Sequence, residues 1–218
     1  MRRSGSSSSR GLGVASVRGG DVADIAANSS ELGFDGRVER LRRWTRILLG
    51  IRDSAKIFVA AMNGPAAGMG LGLALACDLR IASASARCAT GFLRVGFSGD
   101  FAGPYFLTQL IGGARARQLY LMGEVIEAEE AARLGIVNWL VADDQFAAEV
   151  QRVTARLEAG PPLALRYMKR NFNVAETGTL ESYLETEALH QVRTGTSEDA
   201  REAQAALREK RTPVFRAR

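Results

Sequence analysis

The chain has 218 residues, which is room for one domain of good size or for one domain with an appended arm. Hydrophobic residues make up 46% and charged residues 24%, an ordinary globular composition that excludes wholesale disorder. A net charge of +5 suits a nucleic acid or a small polyanion such as a nucleotide phosphate. The arginines are dispersed and aromatic residues are only 7%, so we expect no nucleic-acid binding.

The N-terminal segment 1–13 is dominated by serine and glycine, which cannot bury enough surface to offset the entropy of ordering. This composition predicts a flexible arm, and it lacks the apolar stretch of a secretory signal. No run of apolar residues reaches the ~18 that a membrane helix needs. The separate cysteines Cys77 and Cys88 predict buried reduced thiols. We therefore expect a soluble, cytoplasmic protein that binds no membrane.

A strand–loop–helix–strand pattern occupies the middle of the chain. An amphipathic helix is predicted over 37–49 and a buried strand over 57–62, where β-branched and apolar residues cluster. A glycine-rich loop over 64–72 leads into a helix over 73–77 and a second strand over 78–82. This order is typical of an α/β protein, and we assign the α/β core to residues 14–160.

The remainder of the chain is predicted to be mainly helical, with a single late strand over 136–141. Ser197 is suited to cap the last helix, with Ala200, Ala203 and Leu207 on its apolar side. The other helices are predicted over 115–122, 127–134, 144–159, 163–175 and 180–190. Residues 161–218 therefore form a helical C-terminal region.

The glycine loop Gly68-Met69-Gly70-Leu71-Gly72 lies between a predicted strand and a predicted helix. Glycines let a ligand approach the main chain, and a helix start presents free N–H groups and the positive end of its dipole. The loop suits a phosphate, or the oxygen of an enolate or tetrahedral intermediate. Its spacing differs from the dinucleotide-binding fingerprint and from the P-loop. Close packing of helix on strand is the alternative explanation.

Several motifs in the same order resemble the crotonase (enoyl-CoA hydratase/isomerase) superfamily. The central motif reads Asn63-Gly-Pro-Ala-Ala-Gly-Met-Gly-Leu-Gly-Leu-Ala-Leu-Ala-Cys-Asp78, similar to the family's N-G-x-A-x-G-[GA]-G-x-x-L-x-x-x-C-D. Downstream, Leu121-Met-Gly-Glu124 and Glu129-Glu-Ala-Ala-Arg-Leu-Gly-Ile-Val-Asn138 resemble the family's next conserved stretch. The resemblance covers roughly residues 14–215.

This resemblance implies a spiral of ββα units with a helical C-terminal trimerisation region, and hence a homotrimer or hexamer. It implies an acyl-CoA thioester as substrate, with coenzyme A part of the substrate and no separate cofactor. Two backbone N–H groups, those of Gly20 and Met69, would form an oxyanion hole, and removing one such donor typically costs about 2.7–4 kcal/mol of transition-state stabilisation. The implied substrate-binding residues are Gly19, Asp21, Val22, Gly68, Gly70, Phe92 and Phe97.

The chain departs from the family's hydratases at their two catalytic glutamates. By motif position these correspond to Gly72 and Phe92, and neither side chain transfers a proton. A two-glutamate hydratase mechanism is therefore not expected. Family members also have a β-hairpin and further β/α units before the turn Arg18-Gly-Gly-Asp21, whereas here a Ser/Gly-rich arm precedes it. We therefore expect either that the front end of the core is truncated in this chain or that these units are lost.

One acid remains in the corresponding stretch, Asp100, and its place resembles the one where some family members, including isomerases and the aromatic dehalogenase, carry a catalytic aspartate. Phe92, Phe97 and Phe101 are expected to make its pocket apolar and so to raise the pKa of the carboxylate. The alternative role is a cap for a helix predicted over 101–110. With a single histidine, His190, and two separated cysteines, no metal site is expected.

The favoured function is a double-bond isomerase in which Asp100 moves the proton. The alternatives are a hydratase or hydrolase that uses Asp100 with a bound water, and a non-catalytic CoA-binding subunit.

Overall fold

The structure of the chain is a computed structural model that describes residues 12–15 and 32–218. These residues form seven strands, eight α-helices and two short 3-10 turns. The strands are β1 (Leu12–Ala15), β2 (Ile57–Met62), β3 (Pro65–Ala67), β4 (Leu79–Ser83), β5 (Arg87–Ala89), β6 (Val125–Glu127) and β7 (Trp139–Val141). The helices are α1 (Phe34–Asp53), α2 (Met69–Ala76), α3 (Gly103–Met122), α4 (Ala128–Arg133), α5 (Phe146–Glu158), α6 (Pro162–Thr177), α7 (Leu180–Gly195) and α8 (Glu198–Glu209).

The strands form two sheets. The first has the order β1-β2-β4-β7, with β2 parallel to β4 and β4 parallel to β7. The second has the order β3-β5-β6, with β3 parallel to β5 and β5 antiparallel to β6. Because β2 and β4 are parallel and α2 lies between them in the chain, the predicted β-α-β unit is confirmed.

Strand β2 forms where it was predicted because its side chains are apolar on both faces, as in a strand covered on both sides. Its start is held by Asp78, whose Oδ2 accepts a hydrogen bond of 2.8 Å from the N–H of Phe58. Val59 and Met62 are buried, as are the thiols of Cys77 and Cys88, neither of which forms a disulfide bond. The buried apolar cluster extends from α1 through β2, α2 and β4 to residue 137.

A buried arginine connects β4 to the segment before β7. Arg80 is 4% exposed, and its guanidinium donates to the carbonyl oxygens of Ile136 and Cys77, each at 2.6 Å. In return, Asn138 Oδ1 accepts from the N–H of Arg80 at 2.8 Å, and the N–H of Asn138 donates to the carbonyl of Arg80. These bonds satisfy the carbonyl oxygens of Ile136 and Cys77, which lie outside the strands and helices.

The described chain divides into two compact units. One comprises residues 14–15, 32–54 and 58–152, and the other comprises 12–13, 55–57 and 153–218. The division falls inside α5, earlier than the expected boundary at residue 160. Within the second unit, His190 is 9% exposed, and its ring lies 4.3 Å from that of Tyr167.

Several sequence-based boundaries are corrected. Leu12 and Gly13 belong to β1, so the predicted arm overlaps a strand, while the rest of the arm lies outside the described residues. Helix α2 begins at Met69 rather than at residue 73, and Leu207 is 81% exposed rather than on the buried side of α8. Strands β3, β5 and β6, three residues each, were not predicted.

No helix among residues 32–218 combines the length and the hydropathy needed to cross a membrane. In the same part of the chain, no three His, Cys, Asp or Glu side chains come together in a way that would hold a metal ion.

Candidate active site

The glycine loop is fixed between β3 and α2. Gly68 has a φ of +50°, a conformation that favours glycine, and its N–H donates to the carbonyl of Ala89 at 3.1 Å. Met69 is the first residue of α2, where a backbone N–H has no partner within the helix. No acceptor for this N–H is found among the residues that the structure describes. The N–H of Met69 is therefore available to an oxygen atom of a ligand.

The loop 96–102 packs directly onto α2 at Gly72. A Cβ on Gly72 would lie 2.5 Å from the carbonyl oxygen of Phe101 and 2.6 Å from its Cβ. Phe101 is 4% exposed and has a φ of +48°, so the chain turns in a left-handed conformation at this contact. Position 72 therefore accommodates only glycine unless Phe101 moves.

The ring of Phe92 connects the glycine loop to the segment that carries Asp100. A Cβ on Gly68 would lie 3.5 Å from Cζ of Phe92, and a Cβ on Gly99 would lie 3.6 Å from its Cδ2. The same ring stacks on Tyr120, with centroids 6.2 Å apart and planes at 18°. Phe92 thus contributes an apolar wall between the N-terminus of α2 and the residue next to Asp100.

Asp100 is half-buried, and its Oδ1 atom is enclosed without a hydrogen-bond partner among the described residues. Burial raises the pKa of this carboxyl above its usual value, because the charged form loses its hydration. Burial and then the charge of Asp100 raise the pKa of Tyr120 to about 12. An ionisable group with a displaced pKa, in a segment that Phe92 connects to the glycine loop, is a candidate for proton transfer.

Asp100 does not cap the helix that follows it. Helix α3 has Ala102 at its N-cap position and no side-chain cap hydrogen bond. Only the backbone oxygen of Asp100 takes part in the turn, accepting from the N–H of Gly103 at 3.4 Å. The helix-cap explanation for Asp100 is therefore wrong.

Comparison with known proteins identifies the family to which this chain belongs. The family model for enoyl-CoA hydratase/isomerase matches residues 12–218. The chain belongs to this family. A protein of Rhodobacter capsulatus named "Probable enoyl-CoA hydratase" is 37% identical over 208 residues, which cover 95% of this chain and 79% of the relative. The 1,2-epoxyphenylacetyl-CoA isomerase of Escherichia coli is 38% identical over 169 residues, 76% of this chain and 64% of that protein.

Solved structures confirm the crotonase-type α/β fold. The structure of an enoyl-CoA hydratase from Polaromonas sp. JS666 aligns with a TM-score of 0.85 at 32% identity, over 90% of this chain and 76% of that one. A hydratase-family structure from Streptomyces coelicolor aligns with a TM-score of 0.87 at 32% identity, over 91% of this chain and 73% of the other. The expected fold and family are thus confirmed, and the assembly state is a separate question.

Within this enoyl-CoA hydratase/isomerase chain, the structure brings together part of the predicted site. Gly68, Met69, Phe92 and Asp100 are linked through the contacts described above, and Gly70 is buried in the first turn of α2. Phe97 is 59% exposed on the loop before Asp100, so its role in substrate binding stays a prediction. Gly19, Gly20, Asp21 and Val22 lie outside the described residues.

Sequence reasoning missed Tyr120. It lies on α3, in a stretch that reads as ordinary helix, and nothing local distinguishes it. Its ring reaches the Asp100 segment only through the tertiary fold, at Gly99 and Gly103. The two glycines flanking Asp100-Phe-Ala were the available signal, because paired glycines often mark the close approach of a bulky group.

Proposed function

We propose that this chain is an acyl-CoA isomerase that moves a carbon–carbon double bond by proton transfer, with Asp100 as the acid/base. One observation carries the proposal. Asp100 presents a buried, unpartnered carboxylate oxygen with a raised pKa, close to the apolar ring that borders the Met69 N–H. A carboxylate in such a setting is a stronger base than one in water, and proton transfer is fastest when the two pKa values approach each other.

The proposed step starts from a β,γ-enoyl thioester. The Asp100 carboxylate removes a proton from the carbon next to the thioester carbonyl, and the electron pair moves into a dienolate whose negative charge rests on the carbonyl oxygen. The N–H of Met69, together with that of Gly20, would stabilise this oxygen. The protonated Asp100 then gives a proton to the γ carbon, which yields the α,β-enoyl thioester. No atom is gained or lost, and no redox cofactor is required.

The two positions at which the family's hydratases carry glutamates support an isomerase over a two-glutamate hydratase. Gly72 has no room for a side chain, because the backbone of Phe101 fills that space. Phe92 is packed between Gly68 and Tyr120 and carries no ionisable group. The relative in Escherichia coli is named 1,2-epoxyphenylacetyl-CoA isomerase, and this name supports an isomerase over a hydratase.

Hydration by Asp100 is the second candidate, because several relatives bear hydratase names, including the Rhodobacter capsulatus protein. In that case Asp100 would direct a water to the β carbon of an α,β-enoyl thioester, and the proton that this water loses would go to the α carbon. The two candidates share Asp100 as the base and the N–H groups of Met69 and Gly20 as oxyanion donors, and they differ in whether water enters the product.

Product analysis separates the candidates. The purified chain is incubated with β,γ-enoyl, α,β-enoyl and aromatic acyl-CoA thioesters, and the products are followed by chromatography and mass spectrometry. A product with the mass of its β,γ-enoyl substrate and a conjugated absorbance supports isomerisation. A 3-hydroxyacyl thioester identifies a hydratase, and release of free coenzyme A identifies a hydrolase. Binding by calorimetry without any product would identify a non-catalytic CoA-binding subunit and contradict the proposal.

A homotrimer or hexamer and a cytoplasmic location accompany this proposal as predictions.

A further inference from the structure

We propose that Tyr120 is the positioning residue for Asp100: its ring is a wedge that holds the Gly99–Gly103 turn in the shape that presents the carboxylate. This proposal rests on the proposed function for its link to catalysis, but its structural content is independent of which thioester is used.

The ring of Tyr120 fills the inside of the turn on both sides of Asp100. A Cβ on Gly99 would lie 3.0 Å from Cε1 of Tyr120. A Cβ on Gly103 would overlap the Tyr120 hydroxyl and would lie 3.0 Å from Cζ. One aromatic side chain therefore occupies the space that side chains at both glycines would need. Its hydroxyl end contacts Gly103, and its ring edge contacts Gly99.

The Tyr120 ring also has an aromatic neighbour. Phe92 stacks on it, with planes at 18°, and Phe92 is packed in turn against Gly68 at the start of α2. Stacked aromatic pairs stabilise each other beyond the area that they bury. The wedge is thus supported from the glycine loop, and the position of Asp100 is tied to that of the Met69 N–H.

The turn has a backbone that needs such support. Gly99, Phe101 and Ala102 all have positive φ, at +110°, +48° and +54°. Non-glycine residues in this region are costly and persist where the surrounding structure determines them. Asp100 lies within this run, and its Oδ1 receives no hydrogen bond from the described residues that would fix it. The packing of the turn on Tyr120 is therefore what sets the direction of the carboxylate.

Tyr120 acts here as an uncharged group. Its pKa of about 12 keeps the phenol protonated throughout the range in which Asp100 titrates, so the ring adds no negative charge beside the base. Replacement by phenylalanine should preserve the wedge, whereas replacement by leucine should remove it. This difference allows positioning to be separated from any chemistry of the hydroxyl.

The test compares four variants: Tyr120→Phe, Tyr120→Leu, Gly103→Ala and the double variant Gly103→Ala/Tyr120→Phe. Tyr120→Leu should lower kcat by roughly 10²-fold with a smaller change in KM, as misplacement of a reacting group does. It should also move the acidic limb of the kcat profile toward the usual carboxyl pKa, because the opened turn admits water. Tyr120→Phe should stay within about threefold of wild type, far from the loss that misplacement causes.

The glycine pair supplies the rescue. Gly103→Ala should lower the activity and the melting temperature because its methyl overlaps the hydroxyl. Adding Tyr120→Phe removes that oxygen but leaves Cζ at 3.0 Å, so it should restore part of both. Absence of that rescue would contradict the wedge, as would a Tyr120→Leu protein that keeps the wild-type kcat and pH limb. If Tyr120→Leu fails to fold, the test is the comparison of Gly103→Ala with Gly103→Ala/Tyr120→Phe.

A readout without substrate separates this proposal from the proposed function. The Asp100 carboxyl is titrated by carbon-13 NMR, with Asp100→Asn used to assign its signal. A lower Asp100 pKa in Tyr120→Leu than in wild type supports positioning even if no thioester is turned over. An unchanged titration in a folded Tyr120→Leu protein would overturn the proposal even if the isomerase activity is real.

Discussion

At the scale of single residues, the candidate site is built around the carboxylate of Asp100, whose Oδ1 has no hydrogen-bond partner among the described residues. The burial of Asp100 raises its pKa above the ordinary value of 3.8, so the folded chain holds this proton more tightly than the unfolded chain. An acid with a raised folded pKa destabilises the fold when ionised. The penalty appears as the pH rises from 3.8 through the folded pKa, and it is constant above that window.

We therefore expect Asp100→Asn to be more stable than wild type at pH 7, and we expect the gain to shrink as the pH falls through the folded pKa and to be gone by about pH 3.8. Urea unfolding at both pH values measures the difference. Asp143→Asn is the matched control, because a hydrogen bond of 3.0 Å from the N–H of Ser85 lowers the pKa of Asp143. It should shift stability at pH 7 in the opposite direction. A neutral-pH loss in Asp100→Asn would contradict the stated burial of the carboxylate.

Gly72 gives a second residue-scale prediction. A methyl group there meets the backbone of Phe101 at 2.5 Å, so Gly72→Ala should destabilise the fold by about 1–3 kcal/mol, as overpacking does. Gly64→Ala is the control, since its Cβ would meet nothing within 4 Å. Urea unfolding of both variants decides the matter. Equal stabilities would mean that position 72 has room for a side chain, so that the backbone of Phe101 does not exclude a glutamate there.

At the scale of elements, the Arg80 side chain joins β4 to the chain before β7. Arg80→Met keeps the apolar stem but removes the donors to the carbonyls of Ile136 and Cys77. Since a hydrogen bond to a charged group contributes about 1.5–3 kcal/mol, we expect a loss of at least about 2 kcal/mol in the free energy of unfolding.

Arg87→Met is the control for Arg80→Met. The side chain of Arg87 is 58% exposed in its ion pair with Glu127, and such pairs contribute about 0–1 kcal/mol. A loss in Arg80→Met no larger than that of the control would show that the buried arginine does not join these elements.

The elements also show how far local sequence information extends. Strand β2 was predicted from Ile57 to Met62 because a run of apolar and β-branched residues bounded by a turn determines a buried strand locally. Strands β3, β5 and β6 have three residues each, too few for any periodicity to appear, and only their pairing defines them. The sequence predicts two helices where the structure has α3. Gly112, with a φ of +75°, is the point at which α3 departs from helical geometry.

The candidate site follows the same division. The Met69 loop and Asp100 were predictable because short motifs carry them. The contact of Gly72 with Phe101 and the wedge at Tyr120 join residues about 17–29 positions apart, where no local pattern applies. The left-handed backbone at Phe101 and Ala102 was likewise unpredictable, since non-glycine residues adopt it only under tertiary constraint.

At the scale of the whole molecule, the C-terminal helices bear apolar side chains that the described chain leaves uncovered. On α6, Met168 and Phe172 are 55% and 69% exposed and lie on one face, four residues apart. Large exposed apolar groups of this kind mark association surfaces. We expect a trimer or hexamer in light scattering, and we expect Met168→Glu/Phe172→Glu to dissociate it while circular dichroism stays unchanged. A wild-type monomer at micromolar concentration would contradict this prediction.

The central claim is that Asp100 moves the proton, and the most direct test is turnover of a β,γ-enoyl thioester by wild type and by Asp100→Asn in deuterated water. Asparagine keeps the size of the side chain but cannot take a proton, so kcat should fall by roughly 10²–10⁴-fold. Calorimetry should show nearly unchanged thioester binding, and the wild-type product should contain some solvent deuterium. Full activity of Asp100→Asn would contradict the account.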